Sequence, residues 1–360
     1  MTVTLEHLRR FAILRSLFPP MSLPRAIDRL GFVQADPIRA PARAQDLTLR
    51  HRVKGYRAGD LDRRYASLGI AEDFFVNYGF VTSGVQQLMH PRANGQTGRR
   101  DKKSQDLLAF VRERGEVHPR ELVVHFAPKS VRNYWGGSSA ATTHLLDALH
   151  YRGFLRVTRR EAGIRLYAIH EHPARSFDER SRDAFVDGLV DVVVNCYAPL
   201  PGQTLTTLIR RLRYAAPQWR RYLGSAIVRA RKRLAHSQVD GVDWYWPAGE
   251  RLPRRPAPAM VRFLAPFDPV VWDRTRFEIF WGWKYRFEAY TPASKRKLGY
   301  YALPMLWGDA VVGWGTFAIE RGRLRPRIGY VGSRPSDPLF RPALAEELAR
   351  FEGFLGLGHD

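Results

Sequence analysis

Cysteine is nearly absent from this chain. Cys196 is the only cysteine among 360 residues, so an internal disulfide is impossible and a zinc site built on several cysteine thiolates is excluded. Such a composition is typical of a reducing compartment, and we expect a cytoplasmic protein. We expect neither a metal ion nor another cofactor.

Long apolar runs are also missing. No stretch of about 18 consecutive apolar residues occurs, so no membrane-spanning helix is expected. Near the N-terminus, Arg9, Arg10 and Arg15 interrupt the leucines, and this pattern does not fit the apolar core of a signal peptide.

Acidic residues are few compared with basic ones. The chain has 58 Lys and Arg against 35 Asp and Glu, a net charge of +23. A field of this size attracts polyanions, which makes nucleic acid the first candidate partner and an anionic membrane surface the second. A third possibility is a general excess of arginine without a functional meaning.

Residues 101–169 give the clearest structural pattern. The sequence predicts three helices, followed by two alternating strands around a turn at Glu161, Ala162 and Gly163. This order is that of a winged helix. The expected elements are a helix from Asp106 to about Gly115, a helix at Pro119–Phe126, a helix carrying Leu145, Leu146 and Leu149, and strands at Phe154–Thr158 and Ile164–Ile169.

The same order of elements recurs before and after this segment. Upstream we expect helices at Leu5–Phe18, Leu23–Leu30 and Ala42–Val53 with a wing at Phe74–Val81. Downstream we expect helices at Arg182–Cys196, Gln203–Tyr214 and Gln218–Leu234 with wing strands at Gln238–Val239 and Trp244–Trp246. The predicted α+β fold therefore has three tandem winged-helix motifs, at 1–100, 101–175 and 176–250.

A linker rich in proline and arginine lies at Pro247–Pro258, where the prolines prevent regular helix. After it the residue pattern changes from helical to strand-like. Residues 256–360 are predicted to form a small antiparallel β-domain. Its expected strands are Val261–Leu264, Phe277–Phe280, Tyr285–Tyr290, Gly299–Leu306, Ala310–Ala318 and Arg327–Val331, closed by a helix at Leu344–Phe354. Asp268 and Asp273 are expected to cap helices or to pair with Arg274 and Arg276 rather than to catalyse.

The segment from Gly31 to Pro37 carries a polar pair. Pro37 favours an extended conformation at Asp36, and in an extended stretch residues two apart share a face, so Gln34 and Asp36 should project together. The alternative is an ordinary aspartate turn before proline. A basic stretch follows, whose cations would favour the ionised form of Asp36 and bind phosphates; it contains Arg39, Arg43, Arg50, His51, Arg52 and Lys54.

Three segments resemble one family. These are Gly31–Leu49 (GFVQADPIRAPARAQDLTL), Phe267–Arg274 (FDPVVWDR) and Pro292–Tyr301 (PASKRKLGYY), and they are similar to the signature of the AlkZ/YcaQ superfamily of bacterial winged-helix DNA glycosylases. The resemblance implies tandem winged helices with a C-terminal β-domain, and a catalytic pair at Gln34 and Asp36. The Gln-Ala-Asp form resembles the YcaQ branch, which is associated with N7-alkylguanine removal and with unhooking of interstrand crosslinks.

The resemblance also implies a DNA-contacting hairpin at Lys295, Arg296 and Lys297. No lysine adjoins the polar pair in the sequence, so we expect a monofunctional glycosylase, acting as a monomer in base excision repair. Its partner would be double-stranded DNA carrying alkylated purines or crosslinks. The alternative is a non-catalytic winged-helix transcription regulator, which would have no need of an aligned glutamine and carboxylate.

Overall fold

A computed structural model describes residues 2–92, 102–126, 130–132, 138–171 and 179–357. The chain divides into two compact units. The first comprises Met1–Asp60, Val190–Ile209 and Ile227–Asp360, and the second comprises Leu61–Leu189 and Arg210–Ala226. Both units combine helices with small antiparallel sheets, so the α+β class predicted from the sequence is confirmed.

The first unit opens with two helices and a short strand that position the polar pair. These are α1 (Leu5–Ser16), α2 (Leu23–Leu30) and β1 (Phe32–Gln34), followed by the short helix α3 (Ala44–Leu49). Gly31 ends α2 in the left-handed region, at φ +69°, where residues other than glycine are strained. The boundaries of α2 agree with the prediction, whereas α3 is shorter than expected.

The strands predicted for the third wing form a hairpin in the first unit. Strands β9 (Ala235–Val239) and β10 (Val242–Trp246) pair around Asp240 and Gly241, which have φ values of +52° and +76°, and β8 (Leu200–Pro201) completes the sheet. An Asp-Gly pair with positive φ suits the two-residue turn of a hairpin. The preceding helices are α9 (Glu179–Tyr197), α10 (Gly202–Ala215), a 3₁₀ helix (Pro217–Tyr222) and α11 (Leu223–Arg233).

The C-terminal part of the first unit contains an open antiparallel sheet and one long helix. The strand order is β11-β12-β13-β14, and the elements are β11 (Val261–Phe263), β12 (Leu303–Trp307), β13 (Ala310–Glu320), β14 (Arg323–Tyr330) and α14 (Phe340–Leu355). Residues 247–260 contain no helix or strand, as the linker prediction required.

Two of the predicted C-terminal strands are wrong. Phe277–Phe280 lies in helix α13 (Arg274–Trp281), which follows the single-turn helix α12 (Pro269–Trp272), and Tyr285–Tyr290 has no regular structure. The side chain of Asp273 caps α13 by accepting from two backbone N–H groups of its first turn. The apolar residues of this segment are three apart, which is the spacing of a helix face rather than of a strand.

One apolar cluster in the first unit joins the N-terminal and C-terminal segments. Ile13 of α1 and Leu17, which caps the end of that helix, pack with Val270 and Val271 of α12 and with Phe277 of α13. All are at most 6% exposed. Helix α1 is thereby fixed to the segment that begins at residue 268.

The second unit contains the predicted helices and hairpin of residues 101–169. Strands β6 (Leu155–Glu161) and β7 (Ile164–Ile169) turn at Ala162 and Gly163, both with positive φ. The other elements are α4 (Asp60–Arg64), a 3₁₀ helix (Tyr65–Ser67), β2 (Ile70–Phe74), β3 (Tyr78–Thr82), α5 (Ser83–Met89), α6 (Lys102–Arg114), α7 (Pro119–Phe126), β4 (Ser130–Arg132), β5 (Ser138–Ala140) and α8 (Ala141–Tyr151).

The segment predicted as the first wing, Phe74–Val81, lies in the hairpin of β2 and β3. The predicted domain boundaries at residues 100 and 175 lie outside the described residues, so the division into three winged-helix motifs stays a prediction. Over the part of the chain that the structure describes, no helix has the length and apolar content needed to cross a membrane.

Candidate active site

The polar pair lies where β1 leaves the interior. Phe32 and Val33 are each 1% exposed, and the next residues, from Gln34 to Asp36, are half-buried. Gly31 sets the start of this segment, because a Cβ at that position would lie 3.0 Å from Val192 of α9. Gln34 and Asp36 are both half-buried, and so is Ala35 between them, so the projection of the two polar side chains from one face stays a prediction.

The side chain of Gln34 is oriented by Trp272. The indole Nε1 of Trp272 donates to Oε1 of Gln34 at 2.9 Å. An indole N–H can only donate, so the Gln34 carbonyl faces Trp272 and its amide nitrogen, a donor, points the other way. The Trp272 ring also packs against Tyr197, with 5.1 Å between ring centroids. The sequence gave no sign of this hydrogen bond.

The segment that carries Trp272 is held by two fully buried arginines. Asp268 is 0% exposed and accepts from Arg52 at 2.8 and 3.0 Å and from the backbone N–H of Val270 at 3.0 Å. Arg276 donates to the backbone carbonyls of Tyr197, Pro199, Pro269 and Val270. The prediction that Asp268 and Asp273 cap helices is confirmed. The ion-pair partner of Asp268 is Arg52, and not Arg274 or Arg276 as expected.

Asp36 has no such partner. Its Oδ1 accepts from the backbone N–H of Ile38 at 2.9 Å, so the aspartate turn before proline is present and is compatible with a functional role. Burial raises the pKa of Asp36, and the Ile38 hydrogen bond opposes this in part. The expectation that neighbouring cations favour its ionised form is wrong, because no cation contributes to its pKa shift.

Aromatic side chains approach Asp36 from the loop of residues 284–302. The charge of Asp36 contributes to raising the pKa of both Tyr290, which is 64% exposed, and Tyr301, which is 2% exposed. Phe287 packs edge-on against both tyrosines, at 6.1 and 5.1 Å between ring centroids. The structure thus brings the third family-like segment to the first, which the sequence alone did not show.

This loop also carries the predicted DNA-contacting residues, but it is not a β-hairpin. Its only regular element is a 3₁₀ turn at Ala293–Lys295, and Glu288 closes it by accepting from the backbone N–H groups of Lys297 and two following residues. Lys295 and Lys297 are exposed. Arg296 is partly buried, donates to the Thr291 carbonyl at 2.7 Å and lies over a tyrosine ring.

Three of the predicted DNA-contacting residues have structural roles instead. Arg52 is 0% exposed and pairs with Asp268, and the side chain of Arg50 is 4% exposed and pairs with Glu347. His51 shares a hydrogen bond of 2.8 Å with a backbone carbonyl, and burial followed by the charge of Arg50 lowers its pKa well below the ordinary value. The predictions for Arg50 and Arg52 are wrong because their partner carboxylates lie far away in the sequence. His51 is half-buried, and its contact with DNA stays a prediction.

The remaining cations of this stretch are accessible. Arg39 and Lys54 are exposed and Arg43 is half-buried. A further basic element was missed in the sequence, namely the hairpin of β13 and β14. It exposes four arginines at alternate positions from its turn, and this period of two was the signal that could have found it; they are Arg321, Arg323, Arg325 and Arg327.

The fold has a counterpart among solved structures. The DNA glycosylase AlkZ of Streptomyces sahachiroi superimposes over 99% of this chain and 98% of its own, with a TM-score of 0.62 and 14% sequence identity. At this identity the likeness shows the fold.

The sequence also matches a family profile described as DNA glycosylase AlkZ-like. That match runs from residue 27 to residue 354 and includes the polar pair, Trp272 and the loop of residues 284–302. The chain therefore belongs to the AlkZ-like family of DNA glycosylases.

Proposed function

We propose that this glycosylase hydrolyses the N-glycosidic bond of N7-alkylated purines in duplex DNA and that it unhooks crosslinks of the nitrogen-mustard type. Gln34 and Asp36 are the proposed catalytic pair. The observation that carries the proposal is the state of Asp36, a half-buried carboxylate with a raised pKa and no cationic partner. Carboxylates in such surroundings are typical of functional sites.

The chemistry requires little more than this pair. Alkylation at N7 gives the purine a positive charge, so the base leaves without protonation by an acid. The carboxylate of Asp36 stabilises the positive charge that develops on the sugar and accepts a proton from the attacking water. Its raised pKa makes it a stronger base than an ordinary aspartate. Gln34, held through its carbonyl by Trp272, offers its amide N–H groups to an oxygen of the sugar or of the water.

Duplex DNA is the proposed partner because exposed cations flank this pair. Arg39 follows Asp36 closely in the chain, and Lys295 and Lys297 lie on the loop whose tyrosines approach Asp36. Lysine and arginine bind phosphates without reading sequence. This role is also proposed for Arg43, Lys54 and Arg296.

The proposal of crosslink unhooking is based on the exposure of residues around Asp36. A crosslinked guanine is tied to the opposite strand and cannot be extruded into a deep pocket. Pro37 and Arg39 are exposed beside Asp36, and Tyr290 is 64% exposed. A carboxylate at such a rim can meet the sugar of a lesion that stays close to the duplex, and both attachments of the crosslink carry the same activated leaving group.

The test is single-turnover excision from duplexes that carry 7-methylguanine or a guanine–guanine mustard crosslink, in EDTA to exclude a metal. Abasic sites are cleaved with hot alkali, and crosslinked strands are followed on a denaturing gel. Release of 7-methylguanine and of single strands supports the proposal. Release of the monoadduct alone restricts the function to alkylpurine excision, and binding without any excision favours the transcription regulator.

A further inference from the structure

Strand β11 lies at an edge of the four-stranded sheet, and charged or polar side chains cover its outer side. On α14, Glu347 accepts from the backbone N–H of Phe263 at 3.1 Å. Arg350 of the same helix donates to the carbonyl of Val261 at 3.2 Å, and His51 shares a hydrogen bond of 2.8 Å with the carbonyl of Phe263. The backbone groups of an edge strand need partners, and here side chains provide them.

A cleft of about 340 Å³ lies beside this edge, between α14 and the segment of residues 50–57. Both walls belong to the first unit and contact each other. The ring of Tyr56 stacks on that of Phe354, with 6.3 Å between the centroids, and the N–H of Ala58 donates to the carbonyl of Phe354 at 2.9 Å. Packed elements therefore fix the shape of the cleft.

The lining of the cleft holds more positive than negative charge. Its charged members among the described residues are Glu347, Arg50, Arg57 and Arg350. Glu347 is 1% exposed and pairs with both Arg50 and Arg350. Arg350 also pairs with Glu346 at 2.8 Å, but that carboxylate is 69% exposed and contributes little. Arg57 is exposed, and its guanidinium makes no hydrogen bond or ion pair within the part of the chain that the structure describes.

A fourth arginine adds to this excess of positive charge. Arg262 lies on β11 between the two residues whose backbone the cleft side chains bind, and it is 9% exposed. It has no ion-pair partner among the described residues, and its Nη1 is buried without a hydrogen bond. Burial lowers the pKa of Arg262 to about 10; Glu347 opposes this shift, whereas Arg52 and Arg350 strengthen it. Buried cations are normally paired, so this edge carries positive charge that the described residues do not neutralise.

We propose that the cleft binds a phosphate group through the guanidinium groups of Arg57 and Arg350. Phosphate suits such a site because its oxygens accept two parallel hydrogen bonds from one guanidinium. It supplies the negative charge that the lining lacks, and the volume leaves room for a sugar attached to it. The phosphate belongs either to the DNA backbone or to a free phosphate ester. The site does not depend on the proposed catalytic pair.

His51 lines the same cleft and can report on its occupancy. Its Nε2 carries a proton, because the carbonyl of Phe263 can only accept. Burial, followed by the charge of Arg50, lowers the pKa of His51 well below its ordinary value, so the ring is neutral at pH 7. An anion that enters the cleft favours the charged ring, so the NMR signals of the ring should shift on binding.

Calorimetric titration with inorganic phosphate tests the site, with chloride used to keep the ionic strength constant. We expect the wild type to bind phosphate with a shift of the His51 ring signals, which are assigned by their loss in His51→Gln. Arg57→Ala should bind about tenfold more weakly, the effect of one charge-assisted hydrogen bond. Its melting temperature should stay unchanged, because the Arg57 side chain makes no hydrogen bond with the described residues.

Arg341→Ala is the matched control. Arg341 is exposed on α14 and does not line the cleft, so this variant should bind phosphate as the wild type does. Equal phosphate affinity in the wild type and in Arg57→Ala, or phosphate binding that leaves the His51 signals in place, would overturn the proposal. The arginines would then only cover the edge of the sheet.

The salt dependence of binding to undamaged duplex DNA identifies the source of the phosphate. Weakened phosphate binding in Arg57→Ala, together with a slope of log affinity against log salt reduced by about 0.9, supports a backbone phosphate. Weakened phosphate binding with an unchanged slope supports a free phosphate ester. A wild type that excises nothing would reject the proposed glycosylase chemistry and leave this test intact, because no lesion is used in it.

Discussion

Asp36 and Asp268 stand in the same local structure and in opposite electrostatic surroundings. Each precedes a proline and accepts from the backbone N–H two residues further on, that of Ile38 at 2.9 Å and that of Val270 at 3.0 Å. Asp268 is fully buried and receives two hydrogen bonds from Arg52. Asp36 is half-buried, and no cation contributes to its pKa.

The comparison separates two uses of one motif. A buried carboxylate with its charge matched anchors the fold, and its oxygens are all engaged. A carboxylate that is partly desolvated without a cation is retained at some cost in stability, and one of its oxygens stays available for chemistry. The environment, rather than the Asp-Pro motif, decides which use applies.

The largest effect is expected from Asp268→Asn. The substitution leaves the guanidinium of Arg52 buried without its counter-ion, and loss of one member of a buried pair costs about 3–5 kcal/mol in the free energy of unfolding. Urea unfolding measures this. The double variant Asp268→Leu with Arg52→Met should lose less than the single one, because no charge is left unpaired. A loss below about 1 kcal/mol in Asp268→Asn would contradict the anchoring role.

The same substitution at Asp36 should act on catalysis. We expect Asp36→Asn to lose about a hundredfold or more in excision of 7-methylguanine, about 2.7 kcal/mol in the activation barrier, with DNA affinity retained. Single-turnover kinetics and equilibrium binding on the same duplex measure the excision rate and the DNA affinity separately. Excision at the wild-type rate would remove Asp36 from the mechanism.

Asp36→Asn should also raise the melting temperature at neutral pH. The pKa of Asp36 is raised above its ordinary value of 3.8, so stability is lost as the pH rises from 3.8 to the folded-state pKa, and the loss is complete above it. Well below pH 3.8, where the carboxyl is protonated in both states, the difference from the wild type should vanish. An increase in stability for Asp36→Asn and a decrease for Asp268→Asn at pH 7 would support the contrast between the two carboxylates.

A smaller effect is expected from Trp272→Phe. Trp272 connects the two aspartate turns, because it lies on the helix that Asp268 caps and its indole donates to Gln34. Removal of the indole N–H frees the Gln34 amide to rotate, and we expect excision to fall about tenfold, about 1.4 kcal/mol, with the Michaelis constant nearly unchanged. Gln34→Ala should lose a similar amount, and the double variant no more than either alone. Trp281→Phe is the control, since its indole donates to a backbone carbonyl at 2.9 Å.

The smallest effect concerns the cations near each turn. Arg52 is buried in an ion pair with Asp268, whereas Lys295 and Lys297 are exposed on the loop of residues 284–302. If both contact phosphates, each change to alanine should reduce the slope of log affinity against log salt by about 0.9 and leave the melting temperature alone. Unchanged slopes would contradict phosphate contacts by these two lysines and would favour the arginines of the β13–β14 hairpin as the phosphate-binding residues.

The sequence predicted the features that depend on neighbouring residues. Gly163 marked a hairpin turn, because positive φ is a local requirement. The absence of helix and strand from residues 247–260 followed from the prolines of that segment. These predictions needed no knowledge of the rest of the chain.

The predictions that failed depended on distant partners. Arg50 and Arg52 looked like phosphate contacts, and only the fold shows that Glu347 and Asp268 neutralise them. Phe277–Phe280 was assigned to a strand, but the segment is a helix that Asp273 caps and that buries Phe277 and Phe280 on one face. The surroundings of Asp36 could not be predicted, because they come from residues 284–302.

The hydrogen bond between Gln34 and Trp272 spans 238 positions of the chain. A ribosome that has made only the first two thirds of this protein holds the complete Gln-Ala-Asp motif but not Trp272. The nascent chain therefore cannot form this hydrogen bond before residue 272 has emerged. For the same reason the segment that carries the proposed catalytic pair is not a portable module: a gene fusion that carries residues 1–100 into another protein would transfer the motif without the tryptophan that orients Gln34.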